Sequence, residues 1–296
     1  MDLSPASLTL SLANFRSQTL SSLISSSAAG KGDARWSAVF KSVSADDASA
    51  SPLSMPDRSS DTKGLAPTGR NLGLFDPESA YRMMSVIKNN DVSYKAQFSE
   101  LSQMQSYVSQ MQAAGQDLGA ISATTSNEGV SSQLKNFVSQ YNAWVERFTP
   151  DVQRGGLLSG TQAAQISRYE LEQSIQNPFN GAGQGVRGLN DLGVTIDPNT
   201  KMASLDTAKL DALLASNRTG AVDAIDAFSA NFARSAELLN SENNLIPNRL
   251  NNLDRVIDYF ADHQQALQQE FGTGDAARPS GKVAEALAAY NQRYGV

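Results

Sequence analysis

From Asp76 to Leu118 the chain keeps a seven-residue repeat without a break. Ala80, Ile87, Tyr94, Leu101, Val108 and Gly115 fall seven apart, and Met83, Asn90, Gln97, Met104, Met111 and Leu118 form the companion row. A 3.5-residue repeat held this long keeps one side of a helix turned toward helical neighbours in a left-handed coiled-coil geometry. Asp76 is a good N-cap, Pro77 suits the first helical position, and Glu78 lies in the first turn. Asn90 and Gln97 place amides in the second row, which costs stability and fixes register. Gln and Ser surround the seam where a leucine zipper carries charge pairs, so the seam is built for several helices.

The rest of the chain reads as further helices with one β element. Leu134, Phe137, Val138, Tyr141, Trp144, Val145 and Phe148 trace a wide apolar stripe over Ser131–Phe148, which Pro150 and Gly155-Gly156 end. Thr161 to Gln176 is a third helix, stopped by Asn177-Pro178. After the glycine-rich run Gly181–Gly188, read as a flexible connector, Val194 and Ile196 alternate with polar neighbours, and Pro198-Asn199-Thr200 supplies a turn. That predicts a small hairpin over about 193–205. Asp206 caps a helix carrying Leu210, Leu213 and Leu214, and Val222, Ile225, Phe228, Phe232 and Leu239 mark the next. A long helix follows Pro247 with Leu250, Leu253, Val256, Ile257, Phe260, Leu267 and Phe271, and Val283 to Tyr294 closes the chain with a short one. The fold class is mainly α, an elongated helical bundle or coiled coil with one β-hairpin, preceded by a disordered segment.

Residues 1–73 supply that segment. Ser, Ala, Asp and Gly dominate from Ser25 to Arg70, with Pro52, Pro56 and Pro67, and such a stretch buries too little apolar surface to offset its ordering entropy. Leu8, Leu12, Phe15, Leu20, Leu23 and Ile24 permit a short amphipathic helix, and Trp36, Val39 and Phe40 form one apolar island. Residues 74–296 form the helical domain.

Composition narrows the chemistry. Of 296 residues, 24 are basic and 30 acidic, a net charge of −6, and a chain of that sign lacks the basic surface that neutralises phosphates. Nucleic acid is therefore not an expected partner. There is no cysteine, which removes thiol nucleophiles, disulfides and thiolate metal sites, and a single histidine, His263, leaves no histidine cage. No apolar run reaches the ~18 residues of a membrane span, so no membrane insertion is expected. The Gly181–Gly188 run lacks the preceding strand and following helix of a phosphate loop. Asp197, Asn199 and Lys201 lack the glycine and closing glutamate of a calcium loop. Glu170 and Glu172, two apart on one helix, cannot act as a pair and are read as solvated charges. His263 is read as a half-exposed residue at a packed edge. No catalytic residue, cofactor site or metal site is expected, and the chain is read as a non-enzyme.

Three stretches carry a family likeness: SSQLKNFVSQYNAWVERF, GGLLSGTQAAQISRYELEQSI and GLNDLGVTIDPNTKMASLDTAKLDALLASN. Phe137, Val138, Tyr141, Asn142, Gly156, Leu157, Leu158, Leu192, Gly193, Val194, Asp197, Leu205, Asp206, Lys209 and Leu210 stand in the order and spacing that resemble the C-terminal helical region of flagellar filament-capping proteins, the hook-associated protein 2 family. The likeness covers about residues 131–271. The chain departs from the family pattern in having Asn199-Thr200 where a turn glycine is usual. It lacks room for the family's β-rich insert, and Tyr94–Leu118 resembles the family's last helix although it precedes the core module. The likeness therefore reads as that of a reduced, permuted helical leg, which requires helix 77–120 to pack beside helix 248–271.

The resemblance implies a structural and interaction protein of the bacterial flagellum, exported by the flagellar type III route to the cell exterior. It implies self-association and contacts with flagellar axial proteins or flagellin. The seam residues expected to carry such contacts are Tyr94, Leu101, Met104, Val108 and Met111, with Leu253, Val256, Phe260 and Leu267 as their complement within or between chains. The alternative left open is a cytoplasmic helical adaptor or chaperone for flagellar export, with the Trp36 island as its client-binding segment.

Overall fold

The computed structural model describes residues 64–295. The expected amphipathic helix at 8–24, the Trp36 island and most of the expected disordered segment lie outside them. Where that segment enters the described part, residues 64–73 form a closed turn with a bridge between Leu65 and Asn71. The helices are α1 (Pro77–Asp117), α2 (Asn127–Val152), α3 (Gln162–Gln176), the single turn α4 (Gly188–Asp191), α5 (Thr207–Ser216), α6 (Arg218–Asn240), α7 (Leu245–Phe271) and α8 (Gly281–Tyr294). A 3-10 turn, Leu118–Ala120, follows α1, and strands β1 (Val194–Ile196) and β2 (Ala203–Leu205) lie between α4 and α5. They pair antiparallel with Val194 opposite Leu205 and Ile196 opposite Ala203, which is the expected hairpin.

The described residues divide into two compact units, 97–254 and 64–96 with 255–295. In the first, α2 supplies the centre. Val130, Leu134, Phe137, Tyr141, Trp144, Val145, Phe148 and Val152 are buried, so the stripe read from the sequence is the core face. The helix runs past Pro150 to Val152. A proline this late removes only one backbone donor, and Gln153 still closes the last turn by donating its N–H to the carbonyl of Thr149 at 3.1 Å. Phe137 meets Phe228 and Phe232 of α6 edge-on, with ring centroids 5.5 and 5.0 Å apart. Residues 97–117 of α1 complete the packing. Tyr107 lies edge-on to Phe148 at 5.2 Å, and Ser229 Oγ donates to the carbonyl of Gly115 at 2.8 Å. Gly115 is needed at this crossing, because a Cβ there would sit 2.6 Å from the Phe232 ring. α3 and α5 also pack on α6, and the hairpin lies between α2 and α3.

In the second unit, residues 77–96 of α1 face residues 255–271 of α7. Met84 and Ile87 pack with Leu267 and Phe271, flanked by Ala80, Met83 and Phe260, and Tyr94 stacks on Phe260 at 6.3 Å. The turn at 64–73 closes one end: Asn71 Nδ2 donates to the carbonyls of Gln269 and Glu270, orphan acceptors at the end of α7. Thr273 donates its N–H to Gly69 O at 2.8 Å, and Tyr81 donates its hydroxyl to Asp275 at 2.9 Å. Asp76 caps α1 as read, accepting from the Ser79 N–H at 3.0 Å.

Candidate interaction surfaces

Most of the heptad seam faces inward; Ala80, Met83, Asn90 and Gln97 are half-buried. Leu101, Met104 and Val108 have no exposed surface, Met111 is 1% exposed, and Tyr94, Leu253 and Leu267 are also buried. Val256 and Phe260 are half-buried. Tyr94 stacks on Phe260, and Leu267 packs with Met84, Ile87 and Phe271, so these members of the two expected seam sets meet within one chain. Gln97, the polar interruption of the second row, accepts a hydrogen bond from Arg249 of α7 at 3.1 Å. That bond joins α1 to α7 in the first unit, as the Tyr94–Phe260 stack does in the second.

The motif residues build the hairpin and hold it to α2. Asn142 donates Nδ2–H to Ala203 O at 2.9 Å and accepts the Ala203 N–H at 2.7 Å, so one amide imitates a neighbouring strand at the outer edge of β2. Asp206 accepts from the Ala208 and Lys209 amides and caps α5, while Lys209 Nζ reaches Asn190 O at 2.6 Å. Gly193 has φ +91°, and any Cβ would stand 2.4 Å from the carbonyl of Asp206. Asp197 accepts the amides of Asn199 and Thr200 at 2.8 and 2.7 Å in an Asx turn. Those amides, Thr200 first, hold the Asp197 carboxyl below the usual carboxylate range. Lys201, the residue after that turn, takes a left-handed conformation at φ +65°.

Glu172 corrects the sequence reading. It is not a solvated charge: it is buried and accepts from Lys201 Nζ at 2.9 Å, because its face of α3 is turned to the hairpin. Glu170 is exposed as read. Tyr141 lies in the same interior, where burial pushes its hydroxyl well above the ordinary phenol range; Glu172 adds to that and Arg168 opposes it.

Sequence reasoning also missed a charged cluster inside the first unit. Arg147 bonds Glu100 at 2.6 Å, Gln103 at 2.8 Å and Asp151 at 2.8 Å. Asp151 has no exposed surface. Burial works against the Arg147 charge, and the carboxylates of Glu100 and Asp151 outweigh it, so its pKa lies above the ordinary arginine value. The available signal was Arg147 and Asp151 four apart, beside the apolar stripe. Arg218 is a second pin, bonding Ala123 O, Thr125 O and Asn127 Oδ1 across the connection into α2. The Gly181–Gly188 run is a set loop, not a loose connector: Gly183 and Val186 form a bridge, and Asn217 Nδ2 donates to Gln184 O at 2.8 Å. His263 is half-buried and stacked on Tyr259 at 4.2 Å, its Nδ1 2.9 Å from the Tyr259 carbonyl.

What remains outward is a shallow groove of about 440 Å³ between α2 and the hairpin, lined by Lys135, Val138, Ser139, Asn142, Ala143, Glu146, Met202 and Leu205. Phe75, Leu72, Phe179 and Tyr169 are exposed apolar side chains elsewhere. Among the described residues no group of three His, Asp or Glu could hold a metal ion, and no helix is long and apolar enough to cross a membrane. Compared with known families, residues 109–275 match the C-terminus of flagellar hook-associated protein 2, which is 167 of the 296 residues. No curated protein and no solved structure matches the chain.

Proposed function

From the premise that the chain belongs to the flagellar hook-associated protein 2 family, through that family's C-terminal region, we propose that it is a structural subunit of the flagellum acting by assembly and not by catalysis. It associates with itself and with axial proteins or flagellin at the filament, and reaches that place by flagellar type III export. Its helical domain, 74–296, is a reduced and permuted version of the family's helical leg. The observation that carries this reading is what the motif residues do. Asn142 holds β2 to α2, Asp206 caps α5, Gly193 lets the chain pass close to the Asp206 carbonyl, and Lys209 ties α5 back to Asn190 of α4, so each already has an architectural task. A module whose signature is architectural suits a part whose work is to be held in a defined shape among other subunits. With the seam occupied inside the chain, contacts between subunits fall to outward faces.

Fractionation of flagellated cells tests the proposal. The protein is expected in sheared filaments and culture supernatant, and a deletion strain is expected to lose filaments or motility. Retention in the cytoplasm with normal flagella in the deletion strain refutes it. Retention with defective export of other flagellar subunits would instead select an export adaptor.

A further inference from the structure

The groove beside α2 has an internal symmetry. Its α2 lining is Lys135, Val138, Ser139, Asn142, Ala143 and Glu146, an i, i+3, i+4, i+7, i+8, i+11 row on one helix face. Laid antiparallel on a second copy of itself about a two-fold axis between residues 140 and 141, this row pairs Lys135 with Glu146, Val138 with Ala143 and Ser139 with Asn142. The end pairings join opposite charges. In the middle Val138 is buried and Asn142 is already bonded to the Ala203 backbone, so the small side chains of Ser139 and Ala143 are what the row presents there. Lys135 and Glu146 are both exposed, and neither makes an ion pair or hydrogen bond among the described residues. They are the only charged residues of the row and stand at its two ends, about 16 Å apart along the helix at 1.5 Å per residue. Ser139 and Ala143, exposed at its middle, allow two helices to approach closely. Half-buried Met202 and Leu205 give each copy an apolar wall beside the row.

We propose that the groove is a self-docking face, occupied by the α2 row of a second copy of this chain in an isologous two-fold contact. A heterologous partner helix would need only to match the groove. The self-complementary register is a property that pairing with a second copy uses and pairing with another protein does not. The inference rests on the assembly reading and deepens it by naming one contact through which the chain meets itself.

Charge exchange tests it on the full chain by sedimentation and light scattering over a concentration series. Lys135→Glu and Glu146→Lys alone each set two like-charged pairs across the axis, and each is expected to weaken dimerisation on the order of tenfold or more. An equimolar mixture of the two variants restores opposite charge at both ends. It is expected to dimerise as the wild type does and to yield the mixed species by native mass spectrometry. Lys135→Glu with Glu146→Lys in one chain is expected to dimerise with itself. Circular dichroism melting confirms that each variant folds, and Lys135→Gln with Glu146→Gln is a milder pair expected to show a smaller loss. A wild type that stays monomeric throughout the series overturns the proposal, as do single reversals that associate like the wild type, or a mixture that stays monomeric. If cell fractionation still places the protein in the filament while the reversals leave association unchanged, the self-docking face is wrong and the assembly reading stands.

Discussion

Replacing Asn142 with Ala removes both hydrogen bonds to the Ala203 backbone, at 2.9 and 2.7 Å. Ala203 is 5% exposed, so its N–H and C=O have little water to turn to. Two neutral hydrogen bonds contribute about 1 kcal/mol each, and a buried group left without a partner costs about 1–3 kcal/mol, which places the loss near 2–4 kcal/mol. Because β2 is only three residues long, that loss is concentrated on the hairpin. Amide exchange in residues 194–205 is the direct readout, and its protection is expected to fall about thirtyfold or more at 1.4 kcal/mol per factor of ten. Ser139→Ala, one turn earlier on the exposed side of α2, is expected to stay within about 0.5 kcal/mol of the wild type in urea unfolding. Asn142→Asp separates the two bonds. Its carboxylate can still accept from the Ala203 N–H but sets an oxygen against the Ala203 carbonyl, so it is destabilising at neutral pH. Protonation restores a donor, so the carboxyl has a raised pKa in the folded state, and stability recovers as pH falls through that value. An Asn142→Ala hairpin exchanging at the wild-type rate, or an Asn142→Asp variant with no recovery in acid, would refute the argument that this one amide holds β2.

Arg147→Met removes the cation bonded to buried Glu100 and Asp151, and breaking a buried ion pair by deleting one member costs about 3–5 kcal/mol; chemical denaturation should show that loss, with partial recovery when Glu100→Gln and Asp151→Asn are added. The Asp197 turn has a pH signature. Its carboxyl is depressed in the folded chain by the Thr200 and Asn199 amides, so its contribution is fully present above the ordinary carboxylate pKa and is lost as pH falls through the depressed value. The protection factor of the Thr200 amide, taken against its intrinsic exchange rate at each pH, should therefore fall in acid, and Asp197→Ala should remove that dependence.

The sequence reading was strongest where a pattern repeats. Ile87, Tyr94, Leu101, Met104, Val108, Met111 and Leu118 of the seven-residue rows, and the stripe from Leu134 to Phe148, lie on buried faces because periodicity reports which side of a helix meets its neighbours. The hairpin was legible for a different reason. Asp197, Pro198 and Asn199 carry local turn chemistry that needs no distant partner. Contacts between distant segments were not legible. Glu172 meets Lys201 29 positions away, Arg147 meets Glu100 47 positions away, and Asn142 meets Ala203 61 positions away. Nothing in the local pattern around Glu172 separates a solvated carboxylate from a paired one, since the difference lies in which face of α3 the hairpin covers. Asn142 was visible only as part of a family motif, and the geometry supplies the reason it stands there.

The same distinction bears on where assembly takes place. A heptad seam read alone points to partners between chains, because the pattern records that a face is buried and not by what. Here Leu101, Met104 and Val108 have no exposed surface, so a second chain could reach them only by displacing this chain's own helices. Each buried Leu or Met contributes about 1.5–3 kcal/mol of transfer free energy, and an exchange of partners at those positions would have to match the whole set at once. A face such as the Lys135–Glu146 row asks for no such exchange. It is already outside, its charges are unspent, and its complement is present on each copy of the chain. Contact through an outward face of this kind would leave the buried seam, and with it the fold of the chain, unchanged.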